Sequence, residues 1–508
     1  MADKPQKKPK VYLVGAGPGR ADLITVRGAE LLKIADCVIY DRLINPALLE
    51  LAPSQAEIIA VPKRIGPAGF TQEEINKLIV DKARTGKTIV RLKGGDPCVF
   101  GRAGEEAAAI AEAGLDFEIV PGVTAGTAAA AYTGIIPTHR KYSSQLLFVT
   151  GRQAADKQPD IDWHRLATFE GTIVLYMGVG SLELIVAELI KNGMSPEMPA
   201  AAIADATLPT QKMVKSPLKA LHQECRKQQI KPPAVIIIGP AAAADDRLNW
   251  FMKLPLFAKN IVLTRHHGGN LRFAEKIIAC GGNAVEFPVI TVKPLTQTNA
   301  FLRIVGRLGE FDWVMFTSPT AITLFFDLLK HLQKDARVFG RAKIAAIGSE
   351  TAAELSQVGL RADFVPSVYT SRELGRQLAD SVVLAGKKIL LLRSKLAGGE
   401  LAEILTKAGA LVETAAVYTV EKQTCRSKPL QEKIAAGLIH YVTFASSSSV
   451  TAFFDQVPAD VLNSSSAKVA AIGPVTAEKL TSLAVKVDIT AKRYTIDGLL
   501  EAIITAEQ

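Results

Sequence analysis

The 508-residue sequence has few cysteines, few aromatic residues and no long hydrophobic run. Its five cysteines are scattered and never spaced as Cys-x-x-Cys, which argues against a disulfide framework or a structural zinc site and favours a reducing compartment. No apolar stretch approaches the length of a membrane-spanning helix, and the basic residues 1–10 lack the apolar segment of a secretory signal. We therefore expect a cytoplasmic globular protein without membrane contact, in which residues 1–10 form a disordered tail.

The sequence also lacks the motifs of several common enzyme classes. No pattern indicates metal-dependent hydrolysis, a serine triad or a Walker phosphate loop, so we expect no metal. The net charge of +10 points to an anionic partner, although the same charge also serves solubility. Nucleic acid and a polycarboxylate metabolite both fit this charge. Aromatic residues are few and do not alternate with lysine and arginine, which counts against nucleic acid, so the metabolite is at least as good a candidate.

Two glycine-rich turns follow short apolar runs within the first hundred residues. The first spans 15–19 as Gly-Ala-Gly-Pro-Gly, and the second spans 93–97 as Lys-Gly-Gly-Asp-Pro. Glycine permits sharp turns and close approach of a ligand, and ligands bind open α/β sheets beyond the carboxyl ends of the strands. The first turn is not a dinucleotide fingerprint, because Arg20 stands where a glycine is required. Together the two turns predict a small-molecule pocket.

An acidic residue, Asp41, ends the apolar run that begins at Cys37. A carboxylate at a strand end beside a glycine turn can act as a general base. Alternatively, Asp41 caps a helix or pairs with Arg42 or Lys63. Because neither a metal motif nor a covalent nucleophile is evident, the first half fits an activated-group donor held beside an acceptor, for which the protein supplies positioning and one base.

The second half contains an internal repeat. Residues 259–265 match 387–393 and residues 313–318 match 441–446, both at an offset of 128, and residues 342–348 match 467–473 at an offset of 125. In each copy, short apolar strands alternate with amphipathic helical stretches, which predicts βαβ units and a parallel sheet. Serine and threonine at the strand exits either only cap helices or, in two facing lobes, line an anion-binding cleft.

In their order along the chain, the motifs of the first half resemble the tetrapyrrole methylase family, specifically the S-adenosylmethionine-dependent uroporphyrinogen-III C-methyltransferases. The resemblance covers about residues 11–239 and depends on 15–19, 40–41, 63–64, 94–97, 101–106, 121–125, 137–140 and 176–178. It implies an α/β methylase fold of two subdomains over residues 11–240. It also implies transfer of two methyl groups to uroporphyrinogen III, which gives precorrin-2 on the route to sirohaem and cobalamin.

The same resemblance implies roles for individual residues and a homodimer formed through this half. Asp41 matches the proposed base of the family and Lys63 its proposed proton donor. The residues expected to contact S-adenosylmethionine are Pro18, Gly94, Gly95, Asp96, Val99, Thr124, Ala125, Met177 and Ala206. The sequence departs from the family at Arg20, where aspartate is usual, and at Ala206, where a glycine usually contacts the cofactor.

The second half resembles uroporphyrinogen-III synthase through residues 264–265, 316–318, 392–394, 417–418 and 471–474. The resemblance implies a two-lobed parallel α/β fold over residues 256–508, preceded by a linker over 241–255. Lobe one would comprise 256–292 and 422–508, and lobe two 293–421. It also implies cyclisation of hydroxymethylbilane with inversion of ring D. Tyr418 matches the tyrosine most often implicated, in loss of the hydroxyl group, and Thr351, Ser446 and Thr476 are candidate contacts to substrate carboxylates.

We interpret the chain as a fusion of two consecutive enzymes of tetrapyrrole biosynthesis. Both acidic ligands carry eight carboxylates, which gives the basic charge a reason. One alternative keeps the methyltransferase fold but changes the acceptor to another corrinoid precursor, ribosomal RNA or a modified histidine. Another makes the second half a two-lobed metabolite sensor that regulates the first.

Overall fold

The computed structural model describes residues 10–62, 69–151 and 161–508, and the chain divides into two compact units. Unit one comprises Met1–Lys259 and Ile278–Asn283, and unit two comprises Asn260–Ile277 and Ala284–Gln508. Among the described helices, none is both long and apolar enough to cross a membrane. The predicted α/β class is confirmed in both units, since each alternates strands with helices and contains parallel pairs.

The first subdomain of unit one is a parallel sheet with helices between its strands. The strands are β1 (Lys10–Gly15), β2 (Cys37–Tyr40), β3 (Glu57–Ala60), β4 (Ile89–Lys93) and β5 (Asp116–Val120), and the helices are α1 (Val26–Leu32), α2 (Gln72–Arg84) and α3 (Ala103–Glu112). The order is β3-β2-β4-β1-β5. A capping box between Thr71 and Glu74 starts α2, whose apolar face packs on the sheet through Ile75 and Ile79. Because the strands are parallel, the turns that follow them share one edge.

The second subdomain of unit one has a mixed sheet. Its strands are β6 (Leu146–Thr150), β7 (Thr172–Tyr176), β8 (Pro199–Ala204), β9 (Lys212–Pro217) and β10 (Ala234–Ile238), and its helices are α4 (Ala125–Thr133), α5 (Trp163–Ala167), α6 (Leu182–Lys191) and α7 (Leu218–Lys227). The order is β6-β7-β10-β8-β9, with β6 and β7 parallel and the other pairs antiparallel. The buried alanines Ala129 and Ala130 let α4 pack closely against this sheet.

Residues 241–255, which the sequence suggests as a linker, lie against unit one. Short 3₁₀ turns lie at Pro240–Ala243, which overlaps the start of this segment, and at Asp246–Leu248 and Phe251–Lys253 within it. The indole N–H of Trp250 donates to the carbonyl of Ala131 at 3.0 Å, and the Phe251 ring packs edge-on against Tyr132. This segment therefore packs on the second subdomain through aromatic side chains.

Unit two consists of two lobes, each with its own sheet. Lobe one holds β11 (Asn260–Leu263), β12 (Asn283–Glu286), β18 (Tyr441–Phe444), β19 (Lys468–Ala471) and β20 (Ile489–Thr490) in the order β12-β11-β18-β19-β20. Lobe two holds β13 (Ile290–Pro294), β14 (Trp313–Phe316), β15 (Lys343–Ala346), β16 (Lys388–Ser394) and β17 (Leu411–Lys422) in the order β13-β17-β16-β14-β15. Strand β13 runs antiparallel to β17, and the other pairs of lobe two are parallel.

The helices of unit two follow the strands of the internal repeat. They are α8 (His267–Ala279), α9 (Asn299–Gly306), α10 (Pro319–His331), α11 (Ser349–Gln357), α12 (Ser371–Ser381), α13 (Glu400–Lys407), α14 (Ser427–Ala435), α15 (Ser447–Phe454), α16 (Ala459–Asn463), α17 (Pro474–Thr481) and α18 (Ile496–Thr505). The first copy contributes β11 to lobe one and β14 and β15 to lobe two, whereas the second contributes β16 to lobe two and β18 and β19 to lobe one. Each copy therefore begins in one lobe and continues in the other.

Candidate functional site

The two glycine turns of unit one are joined through their backbones. The N–H of Gly17 donates to the carbonyl of Gly95 at 3.2 Å, and the N–H of Gly95 donates to the carbonyl of Gly17 at 2.7 Å. Both residues have positive φ angles, +80° and +69°, which favour glycine. The turns that follow the neighbouring strands β1 and β4 therefore form one rigid backbone feature.

Asp96 ties this feature to the turn that follows β5. Its carboxylate accepts hydrogen bonds from the N–H of Cys98 at 2.7 Å and from the N–H of Gly122 at 2.9 Å. The backbone is so close here that a Cβ on Gly122 would lie 2.3 Å from the carbonyl oxygen of Gly95. The turns that follow β1, β4 and β5 thus meet in direct backbone contact, without room for larger residues. We call this contact the glycine junction.

The second subdomain completes the junction with Tyr176. The Tyr176 hydroxyl accepts a hydrogen bond from the N–H of Gly126 and lies 2.8 Å from the hydroxyl of Thr124. Burial raises the pKa of Tyr176, so the phenol stays neutral at physiological pH. Val99 and Ala125 pack in the same apolar cluster as Tyr176. Met177, which follows Tyr176, is half exposed, and its φ angle is +55°.

The two sequence departures meet at the same junction. The backbone N–H of Arg20 donates to the hydroxyl of Thr207 at 3.1 Å, and a Cβ on Gly19 would lie 3.1 Å from the carbonyl of Ala206. The Arg20 side chain pairs locally with Asp22. The loop that carries Ala206 therefore borders the turn that carries Pro18, and the predicted cofactor residues surround one junction between the two subdomains.

Asp41 is paired, but with a residue that spacing did not predict. One carboxylate oxygen forms an ion pair with Nη2 of Arg91, rather than with Arg42. Lys63, the other suggested partner, lies outside the described residues. Arg91 also donates through Nε to Oε1 of Glu106 at 3.2 Å, and the same oxygen accepts from Nζ of Lys93 at 2.7 Å. Asp41 therefore belongs to a network of two acidic and two basic side chains.

This network is buried except at Asp41. Arg91, Lys93 and Glu106 are each at most 1% exposed, whereas the Asp41 side chain is 20% exposed. Burial lowers the pKa of Lys93, and the nearby Glu106 partly opposes this effect. Sequence analysis did not assign this network, although the charges of Arg91 and Lys93 at alternate positions of the otherwise apolar β4 were a usable signal.

A cavity of about 340 Å³ lies at the ends of β2 and β3. It is lined by residues on both sides of Asp41 and by the residues around Pro62: Tyr40, Arg42, Ile44, Pro46, Leu49, Ala60 and Pro62. Asp41 itself does not line this cavity, although Tyr40 and Arg42 on either side of it do.

In unit two, Tyr418 lies on β17 and is buried. Its hydroxyl is 3.1 Å from the hydroxyl of Ser318, which caps α10 by accepting from the N–H of Ala321 at 3.2 Å. The partnership between Tyr418 and Ser318 was not predicted, because the two residues are far apart in sequence. It brings a phenol and a helix-capping hydroxyl together at the carboxyl end of the lobe-two sheet.

The other hydroxyls occupy equivalent places in the two lobes. Thr351 and Thr476 are the third residues of α11 and α17, and both are almost fully buried. Ser446 caps α15, as Ser318 caps α10, and is partly exposed. The predicted residues thus lie at helix starts related by the repeat, but Ser446 offers more surface to a ligand than either threonine.

Comparison with known families divides the chain in the same way. The model for Tetrapyrrole (Corrin/Porphyrin) Methylases matches residues 10–222, and the model for Uroporphyrinogen-III synthase HemD matches residues 272–501. The porphyrin biosynthesis protein HemD of Ruminiclostridium josui is 37% identical over 494 residues, which are 97% of each chain. The uroporphyrinogen-III C-methyltransferase of Bacillus subtilis is 39% identical over 350 residues, covering 69% of this chain and 71% of that protein.

Solved structures match the two halves separately. The uroporphyrin-III C-methyltransferase of Thermus thermophilus in complex with S-adenosyl homocysteine is 38% identical, with a TM-score of 0.41, and covers 46% of this chain and 98% of its own. A mutant uroporphyrinogen III synthase of Thermus thermophilus is 18% identical, with a TM-score of 0.36, and covers 49% of this chain and 100% of its own.

Proposed function

We propose that this chain catalyses two consecutive steps of tetrapyrrole biosynthesis. It belongs to the family in which a tetrapyrrole methylase is fused to a uroporphyrinogen-III synthase. Unit two closes hydroxymethylbilane to uroporphyrinogen III with inversion of ring D and loss of water. Unit one then adds two methyl groups from S-adenosylmethionine to give precorrin-2. The observation that carries the proposal is the carboxylate of Asp41, which is 20% exposed and is held by Arg91 at the end of β2, next to β4 and the glycine turn that follows it.

The glycine junction fits S-adenosylmethionine. A Cβ on Gly94 would meet only Leu43, at 3.6 Å, and one on Gly95 would meet nothing closer than 3.7 Å, so this side of the backbone is open to a ligand. The residues proposed to hold the cofactor are Pro18, Gly94, Gly95, Asp96, Val99, Thr124, Ala125, Met177 and Ala206, the last through its backbone. When bound, the cofactor supplies an electrophilic methyl group.

The residues of the network handle the proton. Arg91 donates to Oδ1 of Asp41, and no described residue hydrogen-bonds to Oδ2. We assign to Asp41 the removal of the proton that the macrocycle loses after methylation, and to Lys63 the role of proton donor. Positioned proton transfer of this kind contributes roughly 10²–10⁴-fold to a rate.

In unit two, we assign the departure of the substrate hydroxyl group to Tyr418. Its phenol donates a proton to that hydroxyl, which leaves as water, and Ser318 orients the phenol from 3.1 Å. Thr351, Ser446 and Thr476 are proposed to bind substrate carboxylates. Their places at helix starts support this, because helix N-termini favour negative charge.

The proposal is tested with the full chain and hydroxymethylbilane, with and without S-adenosylmethionine, by chromatography of the products. We expect uroporphyrinogen III without the donor and precorrin-2 with it. If neither forms, the second half is a sensor or the acceptor is another molecule. We also propose that unit one forms a homodimer, which sedimentation velocity measures directly.

An Asp41→Asn variant separates the two activities. We expect methylation to fall by roughly 10²–10⁴-fold while cyclisation is unchanged. Asp81→Asn, on an exposed position of α2, is the matched control and should leave both activities intact. Loss of both activities in a folded Asp41→Asn chain would contradict independent active sites.

A further inference from the structure

Two arginines occupy equivalent positions in the duplicated half. Arg265 lies two residues after the end of β11 in lobe one, and Arg393 lies near the end of β16 in lobe two, at the repeat offset of 128. Each precedes a Gly-Gly pair, at 268–269 within the first turn of α8 and at 398–399 just before α13. The duplication has therefore placed one arginine at the carboxyl end of a parallel strand in each lobe, where α/β sheets bind ligands.

Arg393 is buried without a counter-ion. The residue is only 4% exposed, and its Nε is buried with no hydrogen-bond partner in the described part of the chain. Nη2 donates to the carbonyl of Gly398, in the loop that leads to α13. No described carboxylate forms an ion pair with it, and burial alone lowers its pKa.

Arg265 is partly buried against the first turn of α8. A Cβ on Gly269 would lie 3.1 Å from its Nε and 3.2 Å from its Cζ, so the guanidinium lies against the glycine backbone. Over residues 10–62, 69–151 and 161–508, no carboxylate forms an ion pair with it either. Burial lowers the pKa of Arg265, and Glu350 and Tyr418 of lobe two oppose that effect.

A buried cation without a partner destabilises a folded protein, because its lost hydration is not replaced. Arg393 is such a cation, and Arg265, at the repeat-related strand end, is partly buried and also lacks an ion pair within the described residues, so both positions favour a bound anion. The guanidinium group matches a carboxylate in shape and offers several donors. We propose that Arg265 and Arg393 bind two carboxylates of the acidic tetrapyrrole of unit two, one in each lobe. This inference rests on the proposed synthase function.

The test uses Arg393→Met and Arg265→Met in the full chain, which remove the charge and keep an apolar side chain of similar length. We expect each change to raise the KM for hydroxymethylbilane, and the dissociation constant of uroporphyrin III, about tenfold or more, as for loss of a charged hydrogen bond. The midpoint of thermal unfolding without ligand should be no lower than that of the wild type. Lysine at either position should restore part of the affinity.

The exposed Arg361 provides the control, since Arg361→Met should change neither affinity nor stability. Wild-type binding of uroporphyrin III by either methionine variant would overturn the proposal for that residue. A lower unfolding midpoint with unchanged KM would show instead that Arg393 only holds the Gly398 loop. If the wild-type chain does not cyclise hydroxymethylbilane, the synthase function fails, and binding of uroporphyrin III still decides the role of the arginines.

Discussion

The candidate sites of the two units are built from different chemical groups: mainly backbone in unit one and mainly side-chain hydroxyls in unit two. In unit one, glycines that cannot be enlarged bring three strand exits into backbone contact, and a buried network of four charges holds the acidic residue. In unit two, the candidate residues are mostly hydroxyls at helix starts that recur in both copies of the repeat. The glycine junction allows only one backbone geometry, whereas side-chain hydroxyls on two similar lobes can be replaced one at a time. We therefore expect unit one to be much less tolerant of substitution.

The largest loss of stability and ligand binding is expected from Gly122→Ala. The new methyl group would lie 2.3 Å from the carbonyl of Gly95 and 2.8 Å from Cα of Gly15, both backbone atoms that cannot move aside cheaply. We expect unit one to lose more than about 4 kcal/mol of stability, together with detectable binding of S-adenosylhomocysteine. Calorimetric titration and thermal unfolding measure the two losses.

Gly104→Ala is the control for the same change in open space. A Cβ at Gly104, inside α3, would meet nothing within 4 Å, so the substitution should stabilise the helix by about 0.5–1 kcal/mol. A Gly122→Ala chain with wild-type stability and ligand affinity would remove the contrast between a backbone cradle and a side-chain site.

The next largest effect is expected from Glu106→Gln. The change leaves the buried cations Arg91 and Lys93 with one acidic partner fewer, and we expect a loss of about 3–5 kcal/mol, as for a broken buried ion pair. Urea unfolding measures it. Glu105→Gln is the neighbouring control: its ion pair with Arg102 is half exposed, so the loss should stay within about 1 kcal/mol. Equal losses in the two variants would mean that the network does not stabilise unit one.

The α/β architecture and the glycine turns could be predicted because their signals are local. Apolar runs, turn glycines and a repeat at a fixed offset are all visible in short windows of sequence. The turns that carry Pro18, Gly94, Gly95 and Asp96 lie side by side because the parallel strands β1 and β4 end at a common edge. Met177 and Ala206 follow strands of the other sheet, and their approach could not be read from this rule. Which strand ends lie side by side depends on the order of the strands in the sheet. The alternation of strands and helices predicts that order only in part.

The pairing of charges could not be predicted in the same way. The alternative to a catalytic Asp41 was a helix cap or an ion pair with Arg42 or Lys63. Asp41 instead pairs with Arg91, fifty positions away, because β2 and β4 are neighbours in the sheet, while Lys63 lies outside the described residues. Spacing along the chain carries no information about that neighbourhood. For the same reason, the partnership of Ser318 with Tyr418 emerged only from the folded lobe.

A smaller loss of stability, confined to unit two, is expected at acidic pH. His266 has its pKa lowered from 6.5 to about 4, mainly by burial and also by the nearby Arg265, and its Nδ1 accepts from the N–H of Gly269. Below pH 6.5 His266 binds a proton in the unfolded chain, whereas in the folded chain it binds one only near pH 4. Stability should therefore fall over that range, by up to about 2 kcal/mol after allowance for partial exposure.

The pH effect is measured by urea unfolding of the wild type and His266→Gln at several pH values between 7.5 and 4. The difference in free energy of unfolding between the two chains should shrink or reverse in favour of the variant as the pH falls. Parallel curves for the two chains would show that His266 titrates alike in the folded and unfolded states.

The smallest effect on stability is expected from Tyr418→Phe, which removes one hydroxyl and its 3.1 Å contact with Ser318. Because the ring stays in place in the lobe-two core, the loss should stay within about 1 kcal/mol. Cyclisation of hydroxymethylbilane should nevertheless slow at unchanged KM, because the phenol is proposed to act on the leaving hydroxyl group rather than to bind a carboxylate. Stopped assays with the linear substrate separate the two parameters. Wild-type turnover in the Phe variant would leave unit two with binding groups alone, and the contrast with the acid–base site of unit one would then be complete.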